Sequence, residues 1–179
     1  MQFETERINL RKYNDDDFDF LYSLLSNGEM VRHIGEGKTK DRKEAQNFLE
    51  WIYRTYQAGA DRGLMVLERK DDHTPIGHAG LVPQFIDGVE ELEIGYWVSR
   101  SHWGKGYATE AAKALKVHGL DHLGEDRLIS LIQPNNIASK RVAGKIGMDF
   151  EKEVVSGGRR VEVYSICKPL EVEIWNSYQ

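Results

Sequence analysis

Apolar and polar residues alternate along the chain with two different periods, and these periods divide it into strands and helices. Short runs that either alternate in polarity or are mostly apolar predict strands. They lie at residues 7–12, 63–69, 76–83, 91–98 and 128–133. Apolar residues at intervals of three and four predict helices. These lie at residues 15–26, 42–58, 108–123 and 136–148.

The end of the chain predicts a hairpin. Residues 149–155 and 160–168 flank the turn Ser156-Gly157-Gly158, and glycines favour such turns. No internal repeat or low-complexity linker interrupts the pattern. We therefore predict one α/β (α+β) domain over residues 1–170, with a mixed, mostly antiparallel central sheet flanked by helices. Residues 171–179 form a C-terminal tail of unassigned role.

Composition and charge argue against several classes of protein. A chain of 179 residues is long enough to bury a core without metal or disulfides, and its single cysteine, Cys167, excludes an internal disulfide. It has no signal-peptide pattern and no long apolar run, so we expect a cytoplasmic protein without a membrane partner. The net charge of −5 argues against a nucleic-acid partner and mildly favours a cationic, amine-bearing substrate.

A glycine-containing loop before a predicted helix carries most of the functional information. Gly104 and Gly106 flank Lys105 just before residues 108–123, so loop and helix amides can converge on an anion. Taken alone, Gly-x-Gly is as typical of close packing in a turn as of ligand binding. The loop differs from a P-loop, which needs Ser or Thr after the lysine, and from a dinucleotide loop, which needs glycine where Thr109 stands.

The loop resembles the pyrophosphate loop of the GCN5-related N-acetyltransferases (GNAT), whose consensus is Gln/Arg-x-x-Gly-x-Gly/Ala. Residues 103–108 read WGKGYA, with Trp103 at the position of Gln or Arg. That departure is usual in the branch that contains the RimJ/RimL-type ribosomal-protein N-terminal acetyltransferases. Residues 93–98 (EIGYWV) and 103–111 (WGKGYATEA) are also similar to this branch.

A second, independent motif farther along the chain is similar to the same branch. Residues 136–139 (NIAS) and 145–148 (KIGM) match its Asn-x-x-Ser and Lys-x-Gly pattern. Two motifs in the correct order are much more specific than either motif alone. The resemblance extends over residues 5–168 and is strongest over residues 91–148.

The resemblance implies that acetyl-coenzyme A (acetyl-CoA) is the co-substrate. In the family it lies between a splayed fourth and fifth strand, here residues 91–98 and 128–133. Splayed strands leave N–H and C=O groups unpaired, and the amide-rich pantetheine arm satisfies them. The glycine loop then holds the pyrophosphate. The cofactor-binding residues that the resemblance implies are Trp97, Val98, Trp103, Gly104, Lys105, Gly106, Tyr107, Ala108, Thr109, Asn136, Ser139 and Lys140.

The chemistry that follows is direct attack of an amine on the thioester, with a backbone N–H near Val98 as oxyanion donor. Cys167 has no obvious histidine beside it, which argues against an acyl-cysteine intermediate. In the family a carboxylate on the strand that corresponds to residues 91–98 often serves as general base, so Glu93 is the candidate. The alternative is that Glu93 is a solvated strand residue without a catalytic role. Ala143 stands where many relatives have a tyrosine that acts as general acid. We therefore predict that Ser139 protonates the departing thiolate. The alternatives are that water does so, and that Ser139 is a helix-surface serine bonded to its own backbone.

Several alternatives stay open. The enzyme is predicted to be an N-acetyltransferase that acts on a primary amine, either a protein N-terminal α-amine or a small molecule such as a polyamine or an aminoglycoside. Ala143 keeps open a non-catalytic acyl-CoA-binding regulator. The assembly is predicted to be a monomer or a homodimer. His118 and His122 are four residues apart on a predicted helix, but they lack an evident third ligand, so we predict no metal site.

Overall fold

The computed structural model describes residues 3–59 and 61–170, and its centre is an eight-stranded sheet of order β1-β2-β3-β4-β5-β6-β8-β7. The strands are β1 (Phe3–Glu4), β2 (Ile8–Lys12), β3 (Gly63–Arg69), β4 (Pro75–Ile86), β5 (Val89–Val98), β6 (Arg127–Ile132), β7 (Asp149–Ser156) and β8 (Arg159–Cys167). Neighbouring strands pair antiparallel except β5 and β6, which run parallel. This sheet confirms the predicted fold class. The predicted tail, residues 171–179, lies outside the described residues.

Helices flank the sheet, and side-chain caps fix the starts of three of them. They are α1 (Phe18–Leu25), α2 (Gly28–Val31), α3 (Arg42–Thr55), α4 (Tyr107–Val117) and α5 (Ile137–Lys145). The Asp41 and Glu44 side chains accept from each other's backbone N–H, a capping box that sets the start of α3. Asn136 caps α5 in a similar way. None of the helices in the described ranges is long and apolar enough to cross a bilayer.

Three short features differ from the sequence prediction. The strand β1 has two residues and α2 has four, too few to give a readable period. The helix predicted at 108–123 is α-helical only to Val117 and continues as a π-helical turn at His118–His122. Gly119 lies in this turn, where an added Cβ would come within 2.9 Å of the Leu128 side chain. The absence of a side chain therefore allows the turn to approach β6 closely.

The sheet buries a separate apolar cluster on each face. On one face, α4 packs through Ala111 and Leu115 against strand residues such as Ile94. On the other, Leu21 of α1 and Leu49 of α3 form the second cluster. Because successive residues of a strand point to opposite faces, β3, β4 and β5 each contribute to both clusters. We refer to these two sides of the sheet as the α4 face and the α3 face.

The strands β5 and β6 separate soon after they pair. Within the described chain a single parallel pair joins them, Glu93 with Ile129. Next to this pair the Ser130 hydroxyl donates to the Ile94 carbonyl at 2.8 Å. The splay predicted between the fourth and fifth strands therefore lies between the fifth and sixth, because β1 adds one strand before them.

Candidate active site

A cleft with a volume of about 1100 Å³ runs through the gap between β5 and β6. Residues of the glycine loop, α4 and α5 line it on the α4 face, and residues of α2, the following loop and α3 line it on the α3 face. Small-molecule sites in proteins are typically clefts of this size. Because the cleft reaches both faces, two reactants can meet at the gap from opposite sides of the sheet.

The glycine loop, residues 103–106, turns the chain from β5 into α4. Gly104 and Gly106 have φ angles of 72° and 81°, a left-handed conformation that glycine adopts at little cost. The indole Nε1–H of Trp103 donates to the Val98 carbonyl at 2.6 Å, which ties the start of the loop to the end of β5. Because α4 begins at Tyr107, the unpaired amides of its first turn lie beside the loop. Loop and helix together form a site suited to an anion.

The start of α5 brings a second helix N-terminus to the cleft. The Asn136 side chain accepts from the Ser139 N–H at 3.2 Å, and the Tyr96 hydroxyl donates to the Ser139 carbonyl at 2.8 Å. Burial raises the pKa of the Tyr96 hydroxyl well above its ordinary value, so this group remains a donor at neutral pH. These bonds hold the backbone of Ser139 across the gap from β5, with its half-buried side chain on the cleft wall.

Glu93 lies on the cleft wall where β5 and β6 separate. The Gln84 amide donates to Glu93 Oε2 at 2.7 Å, and the Leu131 backbone N–H donates to Oε1 at 3.4 Å. Burial raises the pKa of the Glu93 carboxyl above its ordinary value, although the bonds from Gln84 and Leu131 oppose the rise. A carboxyl with a raised pKa in a cleft is a candidate general base.

Most of the predicted site residues lie on the cleft wall. They are Glu93, Trp97, Val98, Trp103, Gly104, Gly106, Tyr107, Ala108, Thr109, Asn136 and Ser139. Lys105 and Lys140 are not on the wall that the described residues form, and the Lys140 ammonium pairs with Glu162 at 2.9 Å. Arg141 and Lys145 of α5 carry positive charge on the wall instead. The roles assigned to all these residues from the sequence stay predictions.

Aromatic rings line the cleft on the α3 face. The Phe48 ring of α3 lies 5.2 Å from the Trp51 ring and 6.4 Å from the Trp97 ring of β5, measured between centroids. All three side chains are partly buried, and all three lie on the cleft wall. The arrangement is an apolar wall against which a second substrate can pack.

Gly95 opens this wall beside the candidate base. By the alternation of side chains along β5, Glu93, Gly95 and Trp97 face the same side of the sheet. A Cβ added at Gly95 would meet Leu64 and Val82 only at 3.8 Å, which is ordinary van der Waals contact. The glycine therefore leaves a hollow between the Glu93 carboxyl and the Trp97 ring, and a substrate in that hollow would reach the carboxyl.

His78 is a buried polar residue of this face that the sequence pattern does not single out. Its ring is fully buried on β4, with its centroid 4.8 Å from that of Trp97. Nδ1 is hydrogen-bonded to the Tyr13 hydroxyl at 2.7 Å, whereas Nε2 has no hydrogen-bond partner in the described part of the chain. Burial lowers the pKa of the imidazole to about 3. The ring is therefore neutral at pH 7.

This neutral histidine is expected to make the fold sensitive to mild acid. The unfolded chain binds a proton at this residue near the ordinary pKa of about 6.5, but the folded chain does so only at about 3. Between these values the unfolded state holds more protons, so the free energy of unfolding falls as the pH falls. Relative to His78→Gln, the wild type should lose about 1.4 kcal/mol per pH unit between about pH 6 and pH 4. Urea denaturation measures this difference, and a value independent of pH would contradict the neutral buried ring.

His118 and His122 engage in packing contacts within the π-helical turn. Their rings stack with centroids 5.5 Å apart, and His118 also stacks on Phe3 at 4.9 Å. His118 Nε2 is hydrogen-bonded to Asp61 Oδ2 at 2.9 Å. Among residues 3–59 and 61–170, no three His, Cys, Asp or Glu side chains are grouped so as to hold a metal ion. These contacts fasten β1 to the end of α4.

The split sheet and the glycine loop before α4 are the arrangement that the resemblance to acyl-CoA-dependent acetyltransferases implies. The GNAT acetyltransferase domain family matches residues 7–149, so the chain belongs to this family. It is an N-acetyltransferase that uses acetyl-CoA as co-substrate and an amine-bearing molecule as acceptor.

Individual relatives agree with this membership. YkkB of Bacillus subtilis (strain 168), an uncharacterized protein, is 37% identical over 160 residues, which are 89% of this chain and 92% of YkkB. YoaA of the same organism, an uncharacterized N-acetyltransferase, is 30% identical over 177 residues, with 94% and 97% covered. The structure of RimL, a ribosomal L7/L12 alpha-N-protein acetyltransferase in complex with coenzyme A, superposes with a TM-score of 0.76 at 17% identity and covers 93% of this chain and 98% of that one. The last comparison concerns the fold alone.

Proposed function

We propose that the enzyme transfers the acetyl group directly from acetyl-CoA to a primary amine bound on the α3 face of the cleft. The position of Glu93 carries this proposal. Its carboxyl has a raised pKa and lies where β5 and β6 separate, between the glycine loop side and the aromatic side of the cleft. A base at this point reaches an amine that approaches a thioester held in the gap.

The cleft has features that fit each part of acetyl-CoA. Gly104 leaves open space within 4 Å of an added Cβ, so the loop backbone can approach a pyrophosphate closely. The edge of β5 toward Trp97 and Val98 is splayed from β6 and offers backbone groups to the pantetheine amides. Arg141 and Lys145 supply positive charge on the same cleft wall. Lys105 and Lys140, which lie off this wall, would act on the phosphates only at longer range.

In the proposed reaction the Glu93 carboxylate takes a proton from the attacking amine. The amine nitrogen forms a bond to the thioester carbonyl carbon, and the carbon–sulfur bond then breaks. The backbone N–H near Val98 donates to the oxygen that becomes negatively charged. The Ser139 hydroxyl donates a proton to the departing thiolate and recovers one from solvent. The products are the acetylated amine and free CoA.

The Ser139→Ala variant is expected to lower kcat about tenfold and to change the Kd of CoA less than about twofold, because the proton is needed only as the thiolate leaves. Thiol release measures kcat, and calorimetry measures Kd. Ser23→Ala is a matched control, since Ser23 is a helix serine whose hydroxyl bonds to the Phe20 carbonyl. If Ser139→Ala and Ser23→Ala turn over at equal rates, water rather than Ser139 protonates the thiolate.

The preferred acceptor is a peptide N-terminus rather than a polyamine. On the α3 side of the cleft, Glu29 and Glu36 are accompanied by Arg32 and Arg159, so apart from the candidate base Glu93 this end carries no surplus of negative charge that would hold a polycation. RimL, which shares the fold, is a ribosomal L7/L12 alpha-N-protein acetyltransferase. A small amine is the alternative acceptor, and a regulator without turnover is the less favoured alternative function.

Titration of the protein with CoA, followed by thiol release from acetyl-CoA with a panel of amines, tests this proposal. The panel contains peptides with free N-termini, the same peptides with blocked N-termini, spermidine and kanamycin. Turnover that requires a free N-terminus supports the peptide acceptor. Faster turnover with spermidine or kanamycin replaces it with a small amine, binding without turnover favours a regulator, and an absence of binding rejects the cleft assignment.

The motifs at residues 103–111 and 136–148 favour membership of the RimJ/RimL-type branch. The cytoplasm is the proposed compartment, because a chain with one cysteine suits a reducing environment. A monomer or a homodimer is the proposed assembly, and analytical ultracentrifugation distinguishes them.

A further inference from the structure

Arg7, on the turn between β1 and β2, contacts the glycine loop from outside the cleft. Its Nη1 donates to the Lys105 carbonyl at 3.0 Å. Its Nε donates to Glu110 Oε2 at 2.7 Å, and its backbone N–H donates to Glu110 Oε1 at 2.8 Å. The guanidinium thus bridges the loop and the first turn of α4. Residues almost one hundred positions apart in sequence meet at this point.

The bridging guanidinium is itself held in one orientation. The Thr5 hydroxyl donates to Glu110 Oε1 at 2.6 Å, and the guanidinium lies over the Tyr107 ring, 4.4 Å from its centroid. Burial raises the pKa of the Glu110 carboxyl, but the bonds from Thr5 and Arg7 outweigh it and the net shift is downward. Glu110 therefore stays ionised and fixes Arg7 through charge-assisted bonds.

The bond to the Lys105 carbonyl determines where the next amide points. The carbonyl of Lys105 and the N–H of Gly106 belong to one planar trans peptide group, so they point in opposite directions. Gly106 lines the cleft, whereas Arg7 and Lys105 are not on its described wall. Because Arg7 holds the carbonyl on the outer side, the Gly106 N–H is turned toward the cleft.

The peptide group between Lys105 and Gly106 needs a partner that holds it in one orientation. Gly104 and Gly106 stand on either side of Lys105, and glycine tolerates both signs of φ. The peptide group between Lys105 and Gly106 can therefore rotate at little cost unless a partner holds it. A loop that is only partly in the binding conformation binds its ligand more weakly in proportion to that fraction.

We propose that Arg7 is a positioning residue for the anion site. It holds the Lys105–Gly106 peptide so that the Gly106 N–H is preset to donate to the pyrophosphate of CoA. This inference rests on the proposed role of the glycine loop. It assigns the contribution of Arg7 to loop geometry rather than to direct contact with the phosphates, because Nη1 and Nε already bond to Lys105 and Glu110 and Arg7 lies off the described cleft wall.

The test compares CoA with pantetheine, which lacks the pyrophosphate, as ligands of the wild type and of Arg7→Met. The Kd of CoA should rise about tenfold in Arg7→Met, as expected when the binding conformation falls to about one tenth of the population, while the Kd of pantetheine stays unchanged. Arg160→Met is the control, because Arg160 also makes two bonds to a glutamate, Glu153, at 2.8 Å each. It should leave both affinities unchanged.

The Arg7→Lys variant separates geometry from charge. A lysine keeps the charge but lacks the planar fork that holds a carboxylate and a carbonyl together, so its Kd for CoA should stay close to that of Arg7→Met. Full recovery of affinity in Arg7→Lys, an unchanged CoA affinity in Arg7→Met, or an equal loss for pantetheine would each overturn the inference. A wild type that binds pantetheine as tightly as CoA would overturn the loop assignment itself, and the inference with it.

Discussion

The Glu93→Gln variant is expected to lower kcat/KM about 100- to 10,000-fold at pH 7, the range over which a general base typically contributes. Glutamine keeps the size of the side chain, and its single carbonyl oxygen can accept from either Gln84 or the Leu131 N–H but not from both. It cannot take a proton from the amine. The Kd of CoA should remain within about twofold of the wild type, because the binding wall stays intact. Steady-state thiol release and calorimetry measure the two quantities.

The pH dependence of the rate tests whether the group lost in Glu93→Gln is the general base. In the wild type, the rate should fall as the pH falls through the raised pKa of Glu93, because the protonated carboxyl cannot act as a base. This acidic limb should disappear in Glu93→Gln and leave only the titration of the acceptor amine. Glu91→Gln is the control on the same strand, since Glu91 pairs with Arg127 at 3.0 Å and is not on the described cleft wall. An identical pH–rate profile for Glu93→Gln and the wild type would rule out Glu93 as the base.

The Thr109→Asp variant is expected to raise the Kd of CoA about 100-fold or more. Thr109 is the third residue of α4 and lies on the cleft wall. Unit charges about 4 Å apart near a protein surface interact by about 4 kcal/mol, so a carboxylate at this position strongly opposes a pyrophosphate. The same carboxylate is favourable for the helix, because it lies near the positive end of the helix dipole.

The carboxylate is expected to weaken CoA binding but to stabilise the helix, and these opposite effects give the Thr109 experiment an internal control. Thr109→Asn has nearly the same shape as Thr109→Asp but no charge, so it should bind CoA within about fivefold of the wild type. Thermal unfolding should show that Thr109→Asp is at least as stable as Thr109→Asn, because the helix dipole interaction contributes about 0.3–1 kcal/mol. Equal CoA affinities for the two variants would show that the pyrophosphate does not bind at the start of α4.

The sequence predicts the elements whose signals are local. The strand predicted at residues 63–69 has the same bounds in the structure, because the apolar run at residues 64–67 and the Gly63 before it are consecutive in the chain. The glycine loop and the Asn136 cap are also local, since a turn and a helix start depend on a few consecutive residues. The residues predicted around β5, the loop and α5 came from the resemblance to the GNAT family, whose motifs are also runs of consecutive residues.

Contacts between distant segments could not be predicted in the same way. Gln84 bonds to Glu93 only because β4 and β5 pair in a particular register. The Lys140 ammonium of α5 pairs with Glu162 of β8. The sequence around Lys140 does not indicate this partner, because the two residues lie on different elements. His78 is likewise ordinary as a strand residue, and its burial appears only when α3 covers the sheet.

The parallel pair of Glu93 and Ile129 divides the sheet into two parts, one of five strands and one of three. The Ser130 hydroxyl also holds the Ile94 carbonyl at the joint between these parts, so we expect any opening of the cleft to pivot there. Displacement is smallest at a pivot and grows with distance from it. We therefore expect the Glu93 carboxyl to keep its position when two substrates are admitted and released.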